Sequence, residues 1–366
     1  MQETRTVTLP HFTAGPDAYD AIAEVLPRYG RRVAVIGGRT ALEKAGPLLL
    51  PALEKAGAEV LVVHVYGRDS TMANVERAES LEGVAGADVI VCVGGGRAID
   101  TGKTVADRLG KPWFTCPTVA SNCAPVSGVA VIYKDDGRLD HYHFCRGCPE
   151  HAFINTRVIL DSPAELFWAG IGDALSKQIE VLLATRGKSL FHTTILGRAL
   201  ARACQPPLLE LGAKALEDFR AKRHSEAFTE CVLDIIVTTG IVSNLMTSRE
   251  YYFNSSLAHC FYNASCVLPQ MHRHLHGEVV SFGNLVLLAH DGQTELLEKF
   301  LAFNLEVGLP VTLAELDIDP EGDLDRIVEA APSIKEWTCV PEPTTPERFR
   351  EAVLAVDRAG RALKRV

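Results

Sequence analysis

The chain has 366 residues, 47% of them hydrophobic and 23% charged, and a net charge of −9 from 37 basic and 46 acidic side chains. That length allows two domains with separate cores in an ordinary globular protein. The acidic balance, with no basic block, argues against a general phosphate-backbone binder, and no apolar run approaches the ~20 residues that span a bilayer. Met1-Gln2-Glu3-Thr4-Arg5 is not a basic end leading into an apolar segment. A cytoplasmic protein with mostly reduced, buried thiols is therefore expected of the ten cysteines.

In chain order, the first 160 residues alternate between strand and helix patterns, as doubly wound sheets do. Arg32 to Ile36 reads as a buried strand ending at Gly37-Gly38, and Ala41 to Ala56 as helical, with Pro47 and Pro51 arguing against one continuous helix. A strand over Ala58–Val65, a helix over Ala73–Val84, a strand over Asp88–Val93 and a helix over Ala98–Leu109 follow. Pro112 to Thr118 is a short strand with its exit loop. Gly128–Tyr133 and His141–Phe144 flank Asp136-Gly137, a hairpin turn signal. After Asp161 the pattern is helical almost throughout, with Ser162 a candidate cap and Pro163 at the first helical position. The boundary predicted near residue 160 separates an α/β domain, 1–160, from an all-helical domain, 161–366.

Three sparse residues of the second half carry chemistry. Asp173 lies in Gly170-Ile171-Gly172-Asp173, His259 in Leu257-Ala258-His259-Cys260, and His276 in Leu275-His276-Gly277-Glu278. One carboxylate and two imidazoles suit Zn²⁺ or Fe²⁺ with a coordination position left open for reaction. Taken singly, each has a plainer reading: a carboxylate at a helix N-terminus, a core histidine, a capping histidine. In the first half, Val89-Ile90-Val91-Cys92-Val93 runs into Gly94-Gly95-Gly96 and then a helix. Such a turn lets backbone N–H groups approach a pyrophosphate; it also serves as an unliganded turn of a Rossmann-like sheet. Asp100 and Lys103 follow on that helix at i and i+3, within expected reach of the phosphates or the site mouth, and Pro117 to Pro125 offers hydroxyls after the next strand. Cys145-Arg146-Gly147-Cys148 is a single CxxC, read as two reduced thiols and neither a zinc knuckle nor a redox pair.

Gly94-Gly95-Gly96-Arg97-Ala98-Ile99-Asp100-Thr101-Gly102-Lys103 resembles the GGGxxxDxxK signature of glycerol dehydrogenases and the wider iron-containing alcohol dehydrogenase superfamily. Pro117 to Ser121 with Ala124 to Ser127 resembles their nucleotide loop, Ala169 to Leu175 their metal-aspartate motif, and Ala258-His259 and His276 to Gly283 their two histidine motifs. The likeness covers nearly the whole chain in order. It implies a Rossmann-like nucleotide domain, a helical C-terminal domain in a dehydroquinate synthase-like architecture, a metal in the cleft between them, and a homo-oligomer. It also implies that Asp173, His259 and His276 bind the metal, and that Gly94, Gly95, Gly96, Asp100, Thr118, Ser121, Ser127 and Tyr133 line NAD(H) or NADP(H). Lys177 stands where the iron enzymes carry another histidine, which favours Zn²⁺.

Three departures refine this. Cys123 stands where glycerol dehydrogenases carry a polyol-contacting aspartate; with Val126, and with Leu309 to Leu316, it looks more like the hydroxycarboxylate dehydrogenase relatives, which reduce 2-oxo acids. Tyr262 replaces a usual second histidine, making it the candidate for proton relay. Gly38-Arg39 ends the first strand with no acid to hold a ribose 2′-OH, and Arg39 can accept a 2′-phosphate instead. The expected activity is metal-assisted hydride transfer between NAD(P)(H) and a small secondary alcohol or its ketone, a 2-hydroxy acid/2-oxo acid pair first and glycerol/dihydroxyacetone second. Glycerol-1-phosphate dehydrogenase, a dehydroquinate-synthase-like cyclase and a nucleotide-binding protein without turnover are the rivals; neither nucleic acid nor membrane is expected as a partner.

Overall fold

The computed structural model describes residues 6–248 and 251–365. The chain forms two compact units, Met1–Pro163 with Ala221–Asn244, and Ala164–Arg220 with Leu245–Val366.

The first unit is built on a six-stranded parallel sheet from β1 (His11–Gly15), β2 (Arg32–Gly37), β3 (Glu59–Val65), β4 (Val89–Gly94), β5 (Trp113–Pro117) and β8 (His151–Asn155), in the order β1-β8-β5-β4-β2-β3. The apolar run of β4 is explained by two cores: Val89, Val91 and Val93 pack into one, Ile90 and Cys92 into the other. Strands β6 (Val129–Tyr133) and β7 (Leu139–Phe144) form the expected antiparallel hairpin, with Gly137 at positive φ in its turn.

Helix α1 (Arg39–Lys55) is continuous through Pro47 and Pro51, contrary to the sequence expectation. Both prolines sit on the exposed face, so the carbonyls that lose an amide partner face water. Helix α2 (Met72–Glu79) stops at Ser80, and a separate turn covers Glu82–Ala85. Helix α3 (Gly96–Arg108) starts directly from the glycine turn.

Residues Ala221–Asn244 belong to this first unit although they are helical and lie well past residue 160. Asn244 explains the attachment: its Oδ1 accepts from Gly128 N (2.8 Å) and its Nδ2 donates to Val126 O (3.0 Å). The helical run Glu226–Met246 is, unlike the reading from sequence, long and apolar enough to cross a membrane; 67% of its apolar 18-residue window is buried inside the protein, as in a core helix. A π-helical turn interrupts it at Asp234–Thr238.

The second unit is helical. Helix α4 (Ala164–Ala174) breaks at Leu175 and α5 (Ser176–Ala184) resumes. The Ser162 cap is not formed: its hydroxyl has no partner among the described residues, and its amide instead closes the preceding turn on Ile159 O. Helices α4, α6 (Leu257–Ser265) and α8 (Pro346–Lys364) pack around α7 (His276–His290), which is apolar almost all round because it is buried.

Candidate active site

Asp173, His259 and His276, far apart in sequence, converge within the second unit. Asp173 is the penultimate residue of α4, not at a helix N-terminus; His259 lies on the first turn of α6, and His276 opens α7. Glycines permit the approach. A Cβ on Gly277 would lie 1.9 Å from Ala169 O, and one on Gly172 would lie 2.6 Å from Gly277 O, so α4 and α7 cross backbone to backbone beside Asp173 and His276. A Cβ on Gly283 would meet Ala258 O at 2.4 Å, which sets α6 against α7 and brings in His259. Asn284 Nδ2 donates to Gly172 O (3.0 Å) and locks the crossing.

Asp173 Oδ1 is 3.0 Å from His276 Nε2 and 3.6 Å from His259 Nε2, and one donor atom from each residue lies within 4.8 Å of the others. Oδ1 is buried and, among the described residues, makes no hydrogen bond of good geometry. A carboxylate at the C-terminal end of a helix faces the unfavourable end of the dipole. A buried anionic oxygen with two imidazole nitrogens aimed at the same point is a donor set that a divalent cation satisfies.

In the first unit, the carboxyl ends of β2, β4 and β5 bring the glycine turns together. Gly38 N donates to Val93 O (3.3 Å) and Thr118 N to Gly94 O (3.1 Å). Strand order reverses between β2 and β4, where open α/β sheets bind nucleotides. Gly38, Arg39, Gly94, Gly95, Gly96 and Thr118 gather at this edge. Gly94 has φ near +143°, and a Cβ on Gly96 would meet the Asn122 amide at 2.8 Å. Arg39 is exposed at the first turn of α1.

Residues 10–156 match the iron-containing alcohol dehydrogenase family. A glycerol dehydrogenase of Escherichia coli O6:H1 is 31% identical over 362 residues, 95% of each chain. The chain belongs to the iron-containing alcohol dehydrogenase family. Hydroxycarboxylate dehydrogenase A of Escherichia coli K12 is also 31% identical, over 89% of each chain. A crystal structure of a probable glycerol dehydrogenase from Sinorhizobium meliloti 1021 shares the fold with a TM-score of 0.85 at 28% identity, covering 98% of this chain and 99% of that one. The protein is an alcohol dehydrogenase of this family, and membership implies a metal ion and a nicotinamide nucleotide.

Within this iron-containing alcohol dehydrogenase, Glu180 is the residue that sequence reasoning missed. Wholly buried on α5, its Oε2 lies 2.7 Å from His259 Nδ1, while Oε1 accepts from Ser256 N (2.7 Å) and His259 N (3.0 Å). It therefore turns the His259 Nε2 edge toward Asp173. Burial works against charge on His259, but the Glu180 and Asp173 carboxylates lift it to about 10. Burial likewise opposes ionisation of Asp173, and the two histidines hold it well below the usual carboxylate range. The pocket thus attracts positive charge. A lone glutamate in a helical run leaves no signal in sequence.

Tyr262 stacks edge-on against His276, with ring centroids 4.2 Å apart. Lys177 Nζ donates to Asn254 O (3.1 Å). His272 is exposed and His274 pairs with Glu278 (3.0 Å). Tyr251 packs on Phe253 and donates to Thr338 O.

Three residues expected near the nucleotide are engaged in a different way. Asp100 is buried, pairs with Lys103 Nζ (2.9 Å) and accepts from Val131 N (3.0 Å). Lys103, fully buried, donates to Ala124 O and Ser127 O, and the Ser127 hydroxyl points into the same network. This network braces the 124–131 segment from within instead of presenting side chains to a phosphate, where a carboxylate would repel. Ser121 and Cys123 are half-buried in the loop after β5, and Tyr133 lies under the Arg97 guanidinium (5.4 Å).

Proposed function

We propose that this dehydrogenase interconverts a small 2-hydroxy acid and its 2-oxo acid, with NADP(H) or NAD(H) and Zn²⁺, Fe²⁺ being the alternative ion. Asp173, His259 and His276 hold the ion; the support is the buried Asp173 Oδ1 facing both imidazoles. When bound, the ion supplies Lewis acidity to the substrate oxygen and the nicotinamide exchanges a hydride. The chain's own residues do the rest. Glu180 fixes the His259 tautomer, Gly38 and the Gly94-Gly95-Gly96 turn admit the pyrophosphate, and Arg39 takes the 2′-phosphate where NADP is used. Thr118 and Ser121 border that site, and Tyr262 is positioned beside His276 to hold or pass a proton at its phenol oxygen. The division of labour is a nucleotide-binding unit, Met1–Pro163 with Ala221–Asn244, and a metal- and substrate-binding unit.

Cys123 carries the choice of substrate. No carboxylate occupies that position to repel an anionic 2-oxo acid, and Val126 beside it packs toward Gly240. Glycerol/dihydroxyacetone is the second reading, equally supported by relatives bearing the glycerol dehydrogenase name. Lys177, tied to Asn254 O, supplies no fourth ligand and favours zinc. A cytoplasmic homo-oligomer is the expected setting; ten free thiols suit it.

The test is NADPH and NADH oxidation by Zn²⁺-loaded protein with 2-oxobutyrate, 2-oxoglutarate, dihydroxyacetone and an uncharged ketone. Faster turnover of the 2-oxo acids, lost in His276→Ala, supports the reading. Preference for dihydroxyacetone replaces it with the glycerol reading.

A further inference from the structure

A second group of metal-ligating side chains lies in the first unit. Asp107 is on the last turn of α3, His143 is on β7, and Cys145 follows just past the end of that strand. One donor atom from each lies within 4.8 Å of the other two, the same limit met by Asp173, His259 and His276. We propose that Asp107, His143 and Cys145 bind a second divalent cation of the zinc or cobalt class, which staples the β6–β7 hairpin to α3.

The donor types favour this class. A carboxylate oxygen, an imidazole nitrogen and a thiolate form a mixed set suited to borderline ions, and the two anions balance the charge. Ligand bonds of ~2.0–2.3 Å need donors roughly 3.2–3.8 Å apart, so small side-chain rotations suffice. The surroundings aim the donors. Arg146 N donates to Asp107 Oδ1 (2.9 Å), leaving Oδ2, which sits 2.8 Å from His143 Nε2. Cys145 N donates to Gly128 O (2.9 Å), anchoring the thiol-bearing residue to the hairpin stem.

Two cations stand near. The Arg146 Nε is 3.8 Å from Asp107 Oδ1, but its guanidinium donates to Lys111 O (2.5 Å) and lies over the Trp113 ring. Lys103 is paired with Asp100 at 2.9 Å. Cys148, the other half of the CxxC, takes no part: it is buried, and its amide donates to Thr8 Oγ1. The spacing of the CxxC therefore misleads, since the partners of Cys145 come from a helix far upstream in sequence and from the strand just before it.

Binding breaks the Cys145 S–H bond and forms a sulfur–metal bond, the proton going to solvent; the ion also replaces the proton between His143 Nε2 and Asp107, which leaves through solvent with Nδ1 keeping the ring's remaining proton, and no electrons move. Burial pushes the free thiol up to about 12, so the ion has to displace this proton.

The test uses full-length, metal-depleted protein titrated with Co²⁺. Two equivalents are expected to bind, one of them giving a thiolate-to-cobalt charge-transfer band in the near ultraviolet. Cys145→Ser and His143→Asn should each lose that band and one equivalent, while His276→Ala loses the other equivalent and keeps the band. X-ray absorption at the zinc edge of Zn²⁺-loaded His276→Ala protein reads the site without altering it, and should find sulfur among the nearest neighbours. No thiolate band in the unaltered chain, a band that survives Cys145→Ser, or a zinc shell of nitrogen and oxygen alone would overturn the proposal.

Discussion

At the scale of single residues, the site depends on groups with opposite visibility. Asp173, His259 and His276 stand in short motifs that can be picked out of the chain, but Glu180 cannot, because its importance comes only from the 2.7 Å approach to His259 Nδ1. Glu180→Gln should weaken zinc binding about 10–100-fold, measured by competition with a chromophoric chelator, with turnover recovering at saturating metal. A variant with unchanged zinc affinity would reduce Glu180 to a packing residue. Asp100 teaches the converse lesson. Its place in a motif suggested contact with the nucleotide, whereas its burial beside Lys103 shows an internal brace.

At the scale of elements, helix crossings and one unusual helical turn decide behaviour. The α4–α7 crossing has no room for a side chain at Gly277, since the added Cβ would fall 1.9 Å from a backbone oxygen. Gly277→Ala should cost about 1–3 kcal/mol in denaturant unfolding and lower metal affinity together, because the same crossing sets Asp173 against His276. Asp234 begins the π-helical turn, is buried, and leaves Oδ2 without a hydrogen-bond partner among the described residues. Burial raises its carboxyl to about 7, against a hydrogen bond from Thr238 that works to lower it. The folded state therefore keeps a proton that the unfolded chain releases near pH 4, and stability falls as pH rises from about 4 to 7, then levels off. Asp234→Asn should flatten that fall and raise the melting temperature at pH 7 to 8. An unchanged melting profile would mean that Asp234 is ionised in the fold. Central strands such as β4 were legible as continuous apolar runs because both their faces are covered. The strands β1 and β8 were not, since His11-Phe12-Thr13-Ala14-Gly15 and His151-Ala152-Phe153-Ile154-Asn155 are short and mix polar and apolar residues.

At the scale of the whole molecule, the proposed metal ligands and the proposed nucleotide residues lie in different compact units. His276→Ala should abolish turnover while NADH affinity, followed by its fluorescence, stays within about twofold; a large loss of NADH binding would count against that division. The sequence by itself determined the class of each half: strand and helix periods, the Gly94-Gly95-Gly96 turn and the histidine motifs depend on local pattern, which neighbouring residues carry. Only the tertiary structure decided that Ala221–Asn244 joins the α/β unit, that Glu180 backs His259, and that Asp107 and His143 meet Cys145. Each of these rests on contacts between residues distant along the chain, through Asn244 on the 126–128 backbone or a carboxylate on a ring nitrogen, and such contacts have no period to read.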